Sequence, residues 1–306
     1  QKHWMMRRLA PIYNETEKLI DERYQLRLEA LLSIDRHVEL FVQALKDLGQ
    51  LENTIIIYTS DNGFQFGQHR LMGDKRQLYE HDIRVPMLVR GPGIPKGATL
   101  HEAVVNIDIA PTIAEIVSQE SENNRDSKAP FQVPDYMDGR SFWPLLSQAQ
   151  ETQRDIKGHV APATDWRNDF LISYHGEGLE ECGMTHCPPP SPDHYHSGDT
   201  WNNTYNCVRT LIPEQSLTSS SSSFPPSIPK RNTIYCRFED DERFVEFYDL
   251  NVDPWQLENA ISRLSPDEQS VFDKRLEQLR QCHGDNCRIY PKIMARSDAV
   301  MVPLPE

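Results

Sequence analysis

No cysteine precedes Cys182 in this 306-residue chain, so whatever chemistry the first half carries is done without a thiol. No apolar run approaches the roughly 20 residues that a membrane-spanning helix needs. Positive charge is scarce: 32 Lys and Arg stand against 46 Asp and Glu, a net charge of -14. Nucleic acid and anionic membrane are therefore disfavoured as general partners, because the long-range field repels a polyanion. An anionic substrate needs a local pocket of positive charge. The chain opens Gln1-Lys-His-Trp4, without an initiator Met and without the charged-then-apolar stretch of a targeting segment; the expectation is a mid-protein start. There is no internal repeat. Ser60 has neither a Gly-x-Ser-x-Gly setting nor an obvious base, which sets a serine-hydrolase reading aside.

What is present suits one large domain or two smaller ones with a real core. The six cysteines, Cys182, Cys187, Cys207, Cys236, Cys282 and Cys287, all lie in the polar, Pro-rich half, which fits disulfides in an oxidising compartment. Zinc is the rival reading, since Cys182–Cys187 and Cys282–Cys287 are both C-x4-C and several histidines lie nearby. Disulfides lead, because zinc pairs usually show tighter spacing. Two glycosylation sequons, at Asn14 and Asn202, agree with secretion.

Apolar residues at spacings of three, four and seven predict a helix over 17–48, through Tyr24, Leu28, Leu31, Leu32, Val38, Phe41, Val42, Leu45 and Leu48, closed by Gly49. Asn53-Thr-Ile-Ile-Ile-Tyr-Thr59 then reads as a buried strand, and helix, turn and strand together suggest a parallel α/β sheet. The next strand is Val85–Val89. Between the two, Ser60 to Arg84 has little periodicity, and a connection that long is unusual unless it is functional. Residues 106–116 read as a strand edge running into a helix with Pro111 in its first turn. A soft boundary falls near 150, dividing 1–150 from 151–306. The second region carries a Ser- and Pro-rich loop at 213–229, an antiparallel hairpin from Thr233–Phe238 and Arg243–Leu250, and a terminal helix over 266–281. Ser265 and Glu268 form a capping-box pattern at the start of that helix.

Asp61-Asn62-Gly63 follows the first strand directly, where a carboxylate and an amide offer two hard oxygen ligands to Ca²⁺ or Mg²⁺. The same triplet also makes an ordinary turn. Lys75, in the same connection, can hold an oxyanion, and His69, Arg70, Arg76 and Arg84 concentrate positive charge there in an otherwise acidic chain. His81 is a lesser candidate proton donor.

Taken together these segments resemble the sulfatase family. The carriers are Asn53 to Gly63, Gly67-Gln-His-Arg70, Asp74-Lys-Arg-Gln-Leu-Tyr-Glu80, Ile83 to Gly93, Asp108-Ile-Ala-Pro-Thr112 and Asp138 to Leu146, in the family's order and spacing. The N-acetylglucosamine-6-sulfatases are the most similar subgroup, through Lys75–Glu80, Tyr174–Gly178, Asn202–Thr210, Tyr235–Asp241 and the Cys282-x4-Cys287 ending. Extracellular heparan endosulfatases are near neighbours that tend to have His where this chain has Asn62.

The resemblance implies an alkaline-phosphatase-like α/β sheet, incomplete because its N-terminal half is missing, with a smaller C-terminal α+β subdomain containing an antiparallel sheet. It implies hydrolysis of the 6-sulfate of N-acetylglucosamine residues in sulfated glycosaminoglycan, by a formylglycine made from a cysteine and assisted by Ca²⁺. Asp61 and Asn62 would be metal ligands, Lys75 would contact the sulfate, and His69 is a further catalytic candidate. The lysosome is the implied compartment, with the extracellular space as the alternative. The family's Cys-x-Pro-Ser-Arg or Cys-x-Ala-Ser-Arg motif is absent, so the isolated chain is expected to be inactive. The rival readings are a related metal-dependent phosphatase or phosphodiesterase and a non-catalytic glycan-binding paralogue.

Overall fold

The computed structural model describes residues 1–123, 134–148, 166–176, 201–212 and 231–288. A single helical turn, α1 (Trp4–Arg7), precedes the long helix α2 (Asn14–Asp47). The end of α2 follows from Gly49, whose φ of 67° lets the chain leave left-handed. Gly49 N–H bonds Lys46 O at 3.0 Å and Gln50 N–H bonds Leu45 O at 2.8 Å, which satisfies two terminal carbonyls. The predicted apolar face forms but is not covered: Tyr24, Leu28, Leu31, Leu32, Val38 and Phe41 are all exposed, and Ile20 is the buried residue of α2. Periodicity records which face of a helix is apolar, not what lies against it.

Strands β1 (Ile56–Thr59) and β2 (Met87–Arg90) pair antiparallel, with Ile57 opposite Val89. The parallel arrangement expected from the helix–turn–strand order is therefore corrected for this pair. The connection contains only a 3-10 turn at Gln68–Arg70 and one α-helical turn, α3 (Glu80–Ile83), rather than the crossover helix that a parallel pair commonly uses. It doubles back on itself: Gly63 N–H bonds Asp82 O at 2.7 Å and Phe64 N–H bonds His81 O at 3.1 Å. The strand expected to be buried is half-open, with Tyr58 exposed and Leu88 more so across the ladder.

Helices α4 (Ile109–Asn123) and α5 (Trp143–Gln148) meet around Asp108 and Thr112, both fully buried. Thr112 Oγ1 donates to Asp108 O at 2.6 Å and accepts Phe142 N–H at 3.0 Å. Residue 139 must be glycine here, since a Cβ would sit 2.0 Å from Ile107 O.

The second region is an antiparallel sheet in the order β3 (Asp169–Tyr174), β4 (Tyr205–Ile212), β5 (Arg231–Phe238), β6 (Val245–Asp249). It contains the predicted hairpin. Alternation along the strands serves two cores. Tyr205, Cys207, Ile234, Cys236, Phe238 and Tyr248 face Met6, Leu9, Leu71, Leu78 and Tyr79. Val208, Tyr235 and Phe247 turn the other way, toward Phe272, Leu276 and Leu279 of α6 (Pro266–Gln281). The predicted capping box starts α6: Glu268 N–H bonds Ser265 Oγ at 3.3 Å, and Ser265 N–H bonds the Glu268 carboxylate at 2.7 Å. The β1–β2 connection is thus built onto one face of the sheet, with Leu78 and Tyr79 as anchors. Burying a Leu side chain contributes about 1.5–3 kcal/mol.

Cys207 and Cys236 stand opposite each other on β4 and β5 and are disulfide-bonded, as are Cys282 and Cys287. These four cysteines hold no zinc. Cys182, Cys187, the loop at 213–229 and the boundary near 150 lie outside the described residues.

Candidate active site

Four of the sequence candidates, Asp61, Asn62, His69 and Lys75, lie on one doubled-back segment, and its backbone is unusual. His69, Arg70, Asp74 and Arg76 all have positive φ without being glycine, a concentration of costly conformations that clusters at functional sites. The segment is held from below by Asp82. One oxygen of its carboxylate accepts Gln65 Nε2–H and the other accepts Gln77 N–H, both at 2.7 Å. Burial raises the Asp82 pKa to about 6, the two hydrogen bonds opposing it. Gly63 is required at the crossing, where a Cβ would lie 1.7 Å from His81 O.

Asp61 is exposed and Asn62 half-buried at the end of β1. Asp61 Oδ1 accepts Asn62 N–H at 2.9 Å and Ser60 Oγ–H at 3.3 Å. Asn62 Nδ2 donates to Gly63 O at 2.7 Å, which orients the amide and leaves its carbonyl oxygen without a partner among the described residues. Asp61 Oδ2 is likewise unengaged there. Two hard oxygens side by side fit a share of a calcium shell, which takes about 6–8 oxygens. Among the described residues there is no cluster of three or more acidic, His or Cys side chains that could complete one.

Lys75 is half-buried and makes no ion pair with any described residue. Its flanking residues, Asp74 and Arg76, are both left-handed and pair with each other at 2.8 Å. Arg76 O accepts Asn203 Nδ2–H at 2.9 Å, and Asn203 is 1% exposed. Glu80, five positions on, pairs with the buried Arg209 of β4 at 3.1 Å. Lys75 thus carries a charge unpaired among the described residues, on a backbone held after it by Asn203 and by Arg209 of β4.

His69 is packed rather than free. Its ring stacks on Tyr79 with centroids 4.0 Å apart, and its buried Nε2 has no hydrogen-bond partner. Burial, then the Lys2 ammonium and then His81 push its pKa down to about 3, so it is neutral at any mild pH. His81 also has a buried unpartnered ring nitrogen, and its ring stacks on Trp255 at 6.1 Å. Lys2 lies over the Tyr79 and Tyr248 rings at 4.1 and 4.5 Å.

The sulfatase family profile matches residues 2–118, which contain Asp61, Asn62 and Lys75. The N-acetylglucosamine-6-sulfatase of Bos taurus is 38% identical over 294 residues, 94% of this chain and 45% of its own length. That of Homo sapiens is 37% identical over 94% of this chain and 46% of its own length. An extracellular sulfatase SULF-1 homolog of Drosophila melanogaster is 35% identical over 57% of this chain and 14% of its own. The chain spans about half the length of the N-acetylglucosamine-6-sulfatases it matches. A protein solved in complex with its substrate D-glucosamine-2-N,6-O-disulfate shares the fold with a TM-score of 0.56 and 24% identity, covering 82% of this chain and 39% of that one. The expected incomplete sulfatase fold is therefore the one observed.

The connection between β1 and β2 carries Asp61, Asn62, His69 and Lys75 together. The two sequons differ in access: Asn14 is exposed and Asn202 is enclosed at 4% exposure. Sequence reasoning missed Asp82, Gln65 and Gln77, which hold the connection, and Asn203, which fixes Arg76. Asn203 was legible only as the middle of a sequon and as part of the Asn202–Thr210 resemblance.

Proposed function

We propose that this chain is the C-terminal part of a secretory-pathway sulfatase that removes the 6-sulfate from N-acetylglucosamine residues of glycosaminoglycan. The observation that carries the reading is the N-acetylglucosamine-6-sulfatase likeness over 94% of the chain, which runs well past the matched sulfatase residues 2–118 into the antiparallel sheet. The support from chemistry is that one connection carries two hard oxygens and a cation unpaired among the described residues, in a chain of net charge -14.

In this reading Asp61 and Asn62 give two oxygens to a Ca²⁺ ion. When bound, the ion polarises the sulfate ester and stabilises the charge that develops as the S–O bond breaks. The other calcium ligands and the formylglycine come from a part of the protein outside this chain. Lys75 places its ammonium against a sulfate oxygen, and the Asp74–Arg76 pair and Asn203 keep it from wandering. His69, being neutral, offers an N–H rather than a charge. Asn14 carries a glycan, and the lysosome is the working compartment.

Expression of the full-length parent and assay of sulfate release from N-acetylglucosamine 6-sulfate tests the reading. Release that a calcium chelator abolishes supports it. Calcium-dependent binding without release supports the non-catalytic paralogue instead. Asn62 favours the exosulfatase subgroup over the extracellular endosulfatases.

A further inference from the structure

We infer that Phe64 is a substrate-positioning residue, whose exposed ring receives the apolar face of the hexosamine while the 6-sulfate is held by the residues on either side. The inference rests on the function proposed above and adds a contact to the same site.

Phe64 stands out by where it is kept. Its backbone is clamped, with N–H bonded to His81 O at 3.1 Å next to a Gly63 that tolerates no side chain. The direction of its side chain is therefore set by the fold rather than by the ring's own preference. Its neighbours on the connection are closed away, Gln65 at 1% and Leu71 at 2% exposure, yet Phe64 is 38% exposed. Phenylalanine has no polar group to gain from water, so this exposure is unfavourable by itself. Leu71 and Leu78 show that the same connection buries apolar side chains where it can.

The ring's surroundings say what it faces. Phe66 backs it at 5.0 Å. Its Cε1 and Cζ reach Gly73, lying 3.8 and 3.9 Å from where a Cβ would be. Gly73 is two residues before Lys75, and Asn62 is two residues before Phe64. Two residues span at most about 7 Å. Along the backbone, Asn62 is thus within about 7 Å of Phe64, and Lys75 is within about 7 Å of Gly73, which the ring reaches beside Arg23 Nη1. A pyranose esterified on its 6-hydroxyl puts its ring one carbon from the sulfate. The electron-rich face of an aromatic ring suits its C–H face, and convergent polar groups around an aromatic wall are how pockets fix small ligands.

The test uses the full-length parent with Phe64→Leu and Phe64→Tyr. Leu retains packing against Phe66 without the ring face, and Tyr retains the face. The readouts are the Michaelis constant for N-acetylglucosamine 6-sulfate and the inhibition constant of inorganic sulfate, which reads the anion site alone. The Leu variant is expected to raise the first about tenfold and leave the second within about twofold, with Tyr close to wild type. Equal loss in both constants makes Phe64 a structural support for the connection and overturns the inference. So does no loss in either. A wild-type parent that neither turns over nor binds the sugar sulfate overturns the functional reading itself, and this inference with it.

Discussion

Asp108 and Arg167 face each other through two parallel hydrogen bonds of 2.7 and 2.8 Å, with both side chains almost fully buried. The carboxylate also accepts Val105 N–H at 2.9 Å and Arg140 N–H at 2.8 Å. One buried anion therefore gathers the start of α4, the chain before α5 and the entry to β3. Trp166 completes the cluster, its indole N–H donating to Ala103 O at 2.9 Å.

Replacing Arg167 by Met leaves that carboxylate charged, buried and short of its cation. Breaking one side of such a pair costs about 3–5 kcal/mol. Urea unfolding of the parent should show that loss, and a change below about 1 kcal/mol would mean the pair is not shielded as the structure indicates.

Asn203→Ala frees the Arg76 carbonyl while leaving the Asn202-x-Thr204 sequon intact. The stability cost is about 1 kcal/mol. The larger effect should fall on Lys75, so the inhibition constant of inorganic sulfate should rise. Unchanged sulfate binding would separate Asn203 from the site.

The Cys207–Cys236 bond closes a span of 29 residues within the sheet. Removing it by the double Ser variant should cost about 2–5 kcal/mol, read as a fall in melting temperature without loss of the β4–β5 pairing by circular dichroism.

Stability should respond to pH in opposite senses at two sites. Asp82 has a folded pKa raised to about 6 by burial, so its favourable contribution is complete below the unfolded carboxylate value and is lost as pH rises through 6. His69 is depressed to about 3 by burial and then Lys2. Its contribution is present above the unfolded histidine value and is lost as pH falls toward 3. Melting curves from pH 4 to 7 should lose the first slope in Asp82→Asn and the second in His69→Phe. A wild-type slope that both variants retain would place the titrating groups elsewhere.

The parts legible from sequence are those fixed by neighbours in the chain. Gly49 ends α2, Ser265 and Glu268 start α6, and alternation around 233–250 makes the hairpin, each through contacts a few residues apart. The direction of β2 against β1 was not legible, because it depends on Gly63 and Phe64 bonding to Asp82 and His81. Nor was the exposure of the α2 apolar face, since a period names a face without naming its cover. At the candidate site, Asp61, Asn62 and Lys75 were marked by residue type and resemblance. Their supports were not: Asn203 reaches Arg76 across 127 positions, and Arg209 reaches Glu80 across 129. Such contacts leave no local pattern. The pairing of Cys207 with Cys236 is of the same kind, fixed by strand register.

The most direct test is sulfate release from N-acetylglucosamine 6-sulfate by the calcium-loaded full-length parent, beside its Lys75→Ala variant. Turnover by the parent is expected, with a fall of about 10²–10³ in kcat for the variant, the scale for losing a positioned electrostatic stabiliser. Turnover that is equal in the two proteins, or absent from both under conditions where the parent is folded and calcium-bound, would contradict it.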